Sequence, residues 1–134
     1  MRPIKKIILH CSDTETGNAK AIRKYHIEKK GFADIGYHYV IDRDGKIETG
    51  RDIEKIGAHC EGDNSDSIGI CLIGKKQFEE IQFENLLELI FRLRERFGNI
   101  AIKGHYEMKS GIKQGKTCPN IDMDWYRTKW SLWN

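Results

Sequence analysis

No stretch of this 134-residue sequence approaches the roughly 20 apolar residues of a membrane-spanning helix, so stable membrane insertion is not expected. The opening "MRPIKKIILHCSDT" sets Lys5 and Lys6 before an apolar run, but "IIL" ends at once in His10. It has neither the apolar centre nor the small-residue cleavage site of a secretory signal, and it reads as a strand. The chain is therefore expected to be made in the cytoplasm without an export signal. There are no repeats or low-complexity tracts, and two prolines are too few for a Pro/Gly/Ser linker. One domain over residues 1–134 is expected. Charge of one sign is also missing. Lys and Arg number 23 against 20 Asp and Glu, interleaved, for a net charge of +3. No concentrated basic stripe exists, which argues against nucleic acid as a partner. The small excess suits an anionic surface such as the bacterial cell wall. Four cysteines, at 11, 60, 71 and 118, form no CxxC pair, so a zinc knuckle is excluded. A disulfide framework is not expected in a cytoplasmic protein of this size. Without a long apolar surface pattern, a monomer is expected.

What is present is a clear alternation of elements. "KKIILH" reads as a buried strand. Asn18 is a reasonable N-cap for a helix with Ala19, Ile22 and His26 on one stripe, and Gly31 stops it. "GYHYVIDRDGKIETGR" reads as a hairpin turning at Asp44-Gly45. "SIGICLIG" reads as a central strand. "FEEIQFENLLELIFRLRERFG" is the clearest helix, with Phe83, Leu86, Leu87, Ile90, Leu93, Arg94 and Phe97 in the i, i+3, i+4 pattern and Gly98 at its end. "NIAIKGH" is a short strand and "DMDWYRTKW" a terminal helix. The sum is an α/β domain, a mixed sheet flanked by helices.

Two histidines stand where strands run out, His10 and His105. Cys118 lies in "KGHYEMKSGIKQGKTCPN", a polar loop where a buried structural thiol is out of place. Two imidazoles and one thiolate form a donor set for catalytic zinc, leaving the fourth position to water. Spacing alone leaves open whether the three meet.

The words "ILHCSDT", "GYHYVIDRDGKIETGRD", "IGAHCEGDNSDSIGICLIG", "GHYE" and "KTCPNID" occur in that order. Together they resemble the type 2 N-acetylmuramoyl-L-alanine amidases. That zinc family includes the small amidase lysozymes of T-odd coliphages and the animal peptidoglycan recognition proteins. The resemblance spans about residues 7–125 and is nearest to the phage enzymes in size and in the K-x-C-P word. It implies the amidase-like α/β fold, with zinc held by His10, His105 and Cys118. It implies catalytic parts for Tyr37 and Lys116, and glycopeptide contacts from His59 and Asn64. The implied reaction is hydrolysis of the amide between the lactyl group of N-acetylmuramic acid and L-alanine in peptidoglycan, as by a phage or prophage endolysin. Zinc would acidify water and polarise the carbonyl, and the lysine and tyrosine would hold the developing oxyanion. Tyrosine, lysine and water all remain open as proton donor to the leaving amine. Action on the wall would require holin-mediated release, lysis or injection.

The sequence departs from the phage pattern in a longer loop before Cys118, with "SGIKQG" as the extra material. That leaves Lys109 and Lys113 as alternatives to Lys116. Other residues have plainer readings. His38, between Tyr37 and Tyr39 on a strand, is expected to face away from both, packed and hydrogen-bonded. His26, Cys11 and Cys71 read as core, Cys60 as a semi-exposed thiol, and Trp125, Trp130 and Trp133 as packing. A competing function is a non-catalytic module of the same fold that holds muropeptide. In animal members of the family, loss of the ligand cysteine accompanies loss of catalysis, and here Cys118 and Tyr37 are both present. Some phage amidases also restrain their own RNA polymerase, but no residue here carries that second role.

Overall fold

The computed structural model describes residues 2–133. Five strands form one sheet: β1 (Lys6–Cys11), β2 (Tyr39–Ile41), β3 (Ile47–Thr49), β4 (Ser67–Leu72) and β5 (Ala101–Gly104). Their order is β3-β2-β4-β1-β5, so "SIGICL" is the central strand. β4, β1 and β5 run parallel, as do β2 and β4, and only the β2–β3 hairpin is antiparallel. The helices are α1 (Ala19–Lys30), α2 (Glu80–Phe97), α3 (Lys109–Lys113) and α4 (Met123–Lys129), with a 3-10 turn at His105–Glu107.

Period-two alternation divides the sheet between two layers. Ile7 and Leu9 of β1, with Ile68, Ile70 and Leu72 of β4, meet Leu86, Leu89, Ile90 and Leu93 of α2 in the main core. Val40 and Cys71 face the opposite side, in a smaller cluster with Ala19 of α1, Ile35 and Ile73. His10 has the opposite parity to Leu9 and so leaves the sheet on this thinner side.

Helix α1 begins as its sequence suggests. The Asn18 Oδ1 accepts from the Ala21 N–H at 2.8 Å, and Gly31 closes the helix with φ of 71°. Helix α2 departs slightly from the expected stripe. Leu89 and Gln82 are buried in addition, while Phe83, Leu87 and Phe97 sit half-buried at its borders. Gln82 is buried because it is fully used: its Oε1 accepts from the Glu79 N–H, and its Nε2 donates to the Ile41 and Ile73 carbonyls. It fastens the start of α2 to the sheet.

The hairpin is shorter than expected. Tyr37 and His38 precede β2, although their carbonyls still accept from Arg51 and Gly50. The physical cause is the His38 side chain. Its Nδ1 accepts the Gly69 N–H at 3.0 Å, which removes that donor from the backbone ladder. The Nε2–H of His38 donates to the Lys55 carbonyl at 2.8 Å, so the ring is packed and hydrogen-bonded. Cys60 also differs from expectation. It is buried, with Sγ 3.4 Å from the Ser110 hydroxyl, because α3 covers it. Trp130 packs on the main core, whereas Trp125 and Trp133 are exposed, with Lys129 and Arg127 over their rings.

Candidate functional site

The sheet register builds the centre of the site. Leu9 of β1 pairs with Gly104 of β5 in parallel, so the next residues, His10 and His105, emerge from adjacent strands at one edge. Their ring centroids are 4.7 Å apart. The turn carrying His105 is braced from below. Glu107 accepts the Gly104 N–H and takes two bonds from the buried Arg127 guanidinium, both at 2.7 Å. Gly111 of α3 packs on the His105 carbonyl in a space that a side chain would fill.

The loop expected to be extra surface material is therefore largely one helical turn seated on this site. It returns the chain so that the Tyr106 N–H donates to the Cys118 carbonyl at 2.9 Å, and the Cys118 Sγ accepts the Cys11 N–H at 3.1 Å. His10, His105 and Cys118 thus converge, with their donor atoms all within 4.8 Å of one another. Among the described residues this is the one such group of metal-ligating side chains.

The donor chemistry suits a divalent cation. Burial holds the His10 imidazole well below its usual pKa, helped by His59 and His105, and burial then Lys116 lowers His105. Both rings are thus neutral, with lone pairs to offer. The hydrogen bond to the Cys11 thiol, followed by burial, pushes the Cys118 thiol up. A bound cation reverses that preference and favours the thiolate. Cys11 is accordingly more than a core thiol: it is buried but touches Cys118 through both its amide and its sulfur.

Around this trio lies a groove of about 860 Å³. Tyr25, Lys30 and Phe32 of the α1 region form one bank, and Glu61, Asn64 and Lys116 are on others. Tyr37 stands beside this trio, its ring 5.0 Å from that of His10. Burial raises its phenol well above the ordinary range, so it remains an O–H donor. Lys116 is exposed at the groove, while Lys109 and Lys113 do not line it.

His59 and Asn64 also line the groove, but their hydrogen bonds run inward. Asn64 Oδ1 accepts from the His59 and Cys60 N–H groups at 3.0 and 2.9 Å, stapling its loop. The His59 Nδ1 lies 2.9 Å from the His10 Nε2, and its Nε2 lies 3.2 Å from the Ser67 hydroxyl. Burial drives the His59 pKa down to about 3. Sequence reasoning missed Ser67 and the direct contact of Cys11 with Cys118. Neither has a local signal, because each arises from chain segments that meet only in the fold.

A model of the family described as N-acetylmuramoyl-L-alanine amidase matches residues 1–121. The chain belongs to the type 2 N-acetylmuramoyl-L-alanine amidase family. Similar proteins include the endolysin of Escherichia phage T7, 34% identical, with the match covering 87% of this chain and 81% of that one. The endolysin of Enterobacteria phage K11 is 33% identical, with coverage of 92% and 85%. Among solved structures, the amidase LysC from Clostridium intestinale URNW superposes with a TM-score of 0.85 at 25% identity, over 97% of this chain and 87% of that one. Apis mellifera PGRP-SA has the same fold, with a TM-score of 0.85 at 24% identity over 100% and 87%. This amidase is thus an enzyme with the single-domain mixed sheet of its family, and its substrate is peptidoglycan. No helix among its described residues is long and apolar enough to cross a membrane.

Proposed function

We propose that this amidase is a zinc-dependent enzyme of the endolysin type. It would cut the amide between the lactyl group of N-acetylmuramic acid and L-alanine, acting on the cell wall as a monomer, with residues 1–134 forming one catalytic domain. The observation that carries this reading is the convergence of His10, His105 and Cys118 at the floor of the groove. They are the residues that would hold zinc. A zinc ion there supplies Lewis-acid polarisation of the scissile carbonyl and acidifies a water.

The chain's own groups supply the rest. Tyr37 keeps its proton through burial and donates a hydrogen bond to the carbonyl oxygen as that oxygen gains negative charge. Lys116 brings an ammonium to the same cavity and adds charge stabilisation. Tyr37, Lys116 and water are the candidate proton donors to the leaving amine of L-alanine. The groove's mixed lining of Tyr25, Lys30, Phe32 and Glu61 offers stacking, ammonium and carboxylate contacts to a glycopeptide. The cell wall as place of action follows the phage endolysins that the chain resembles. The non-catalytic alternative is disfavoured because Cys118 and Tyr37 both stand at the site.

The test is to incubate the protein with purified peptidoglycan and count new alanine amino groups separately from new reducing sugar ends. Amino groups without reducing ends support the amidase bond assignment. Wall binding without either product would establish the recognition module instead.

A further inference from the structure

We propose that His59 is a positioning residue: with Ser67 it fixes the tautomer of His10, so that the Nδ1 of His10 is the ring atom offered to the metal. The proposal rests on the zinc reading above, and it follows from counting protons along one chain of hydrogen bonds.

The chain ends at a backbone carbonyl. Ser67 Oγ lies 2.6 Å from the Asp63 oxygen, and a carbonyl can only accept, so the single hydroxyl proton of Ser67 is spent there. Ser67 must then accept from His59, whose Nε2 is 3.2 Å away. A neutral His59 with its proton on Nε2 presents a lone pair at Nδ1. The His10 Nε2, 2.9 Å from that lone pair, must carry a proton and donate it. The remaining nitrogen of His10, Nδ1, is left bare. Metal-ligating histidines commonly hold their other ring N–H in this way, which sets the ring's orientation and raises its basicity.

The seat of His59 is built for this task. A Cβ on Gly69 would lie 2.6 Å from the His59 ring, and one on Gly57 would lie 2.8 Å from it. Two glycines therefore make room for the imidazole on its way to His10. Asn64 holds the His59 backbone from the loop side. A residue serving only as a groove contact would not need a ring turned inward with both nitrogens engaged.

The test combines two readouts. Long-range proton–nitrogen spectra of the metal-free wild type report which ring nitrogen of His10 is protonated. Competition with a chromophoric chelator gives zinc affinity for wild type, His59→Leu, Ser67→Ala and His59→Asn. The expected spectrum shows His10 protonated at Nε2. His59→Leu and Ser67→Ala should each weaken zinc binding about 10- to 100-fold, the usual cost of losing such a partner. His59→Asn, whose Oδ1 can replace the acceptor, should recover most of the loss. Ser67→Ala should also move the His10 proton toward Nδ1. A wild-type His10 protonated at Nδ1 overturns the proposal, as does a folded His59→Leu variant with zinc affinity within about twofold of wild type. Should His59→Leu not fold, Ser67→Ala and the wild-type spectrum decide. A wild type that binds no zinc overturns the metal reading itself, and the His10 spectrum separates that failure from failure of the relay.

Discussion

His10 and His105 stand side by side because Leu9 and Gly104, the residues before them, are partners in parallel register on β1 and β5. Two histidines on neighbouring strand ends need no loop to bring them together, and a rigid sheet holds their spacing. Only Cys118 has to be delivered by a loop. Removing it should therefore disable the site without disturbing the fold. Cys118→Ser is expected to lose stoichiometric zinc binding while keeping the thermal unfolding midpoint of the metal-free wild type nearly unchanged. Its amide hydrolysis should fall at least about 10³-fold, since Lewis-acid stabilisation amounts to several kcal/mol. Metal analysis and peptidoglycan turnover check both statements.

Tyr37 and Lys116 line the groove alongside His10, His105 and Cys118. Tyr37→Phe and Lys116→Ala should each keep zinc affinity and lower kcat by about 10²- to 10³-fold, the range for one oxyanion donor. Lys109→Ala and Lys113→Ala should leave kcat unchanged, because neither side chain lines the groove. Equal losses for all three lysines would point to general charge attraction toward the wall instead.

Gly111 is the point where α3 meets the turn that carries His105. A methyl group there collides with the His105 carbonyl, and the obstacle is backbone rather than a movable side chain. Gly111→Ala should destabilise the protein by about 1–3 kcal/mol, the range for overpacking, and weaken zinc binding with it. Chemical denaturation and zinc titration of the one variant test the coupling.

A carboxyl pair outside the groove lining gives a pH signature. Burial, then the hydrogen bond and charge of Glu48, then Asp44, together raise the Asp42 pKa to about 7 against the opposing charge of Lys46. Glu48 is held in place because its Oε1 accepts the Ala19 N–H at the start of α1. The folded pKa exceeds the unfolded one, so the folded state binds the extra proton between them. Stability from this group is present in acid and is lost as pH rises through about 7. Asp42→Asn should be nearly neutral at about pH 4 and increasingly stabilising toward about pH 8. Melting temperatures across that interval decide it.

The strongly periodic elements were legible from sequence. Asn18 and Gly31 bounded α1 by local chemistry, and the stripe of α2 stood out over 18 residues. The trio of His10, His105 and Cys118 was legible as a donor set, but its convergence depends on strand register, which no local pattern carries. Where the reading fell short, a long-range bond had overruled the local pattern. His38 draws the Gly69 amide out of the ladder and shortens β2. Gly111 closes on His105 and turns a nominal loop into a helical turn that buries Cys60. His59 lines the groove, as its word suggested, and its contact with His10 is long-range and has no local signal.

The most direct test of the account is the release of alanine amino groups from purified peptidoglycan by three samples: the zinc-loaded protein, the same protein after chelation, and the chelated protein given zinc back. Release is expected from the first, loss in the second and recovery in the third, with no recovery for Cys118→Ser. Release that persists unchanged in the chelated, metal-free protein would contradict it.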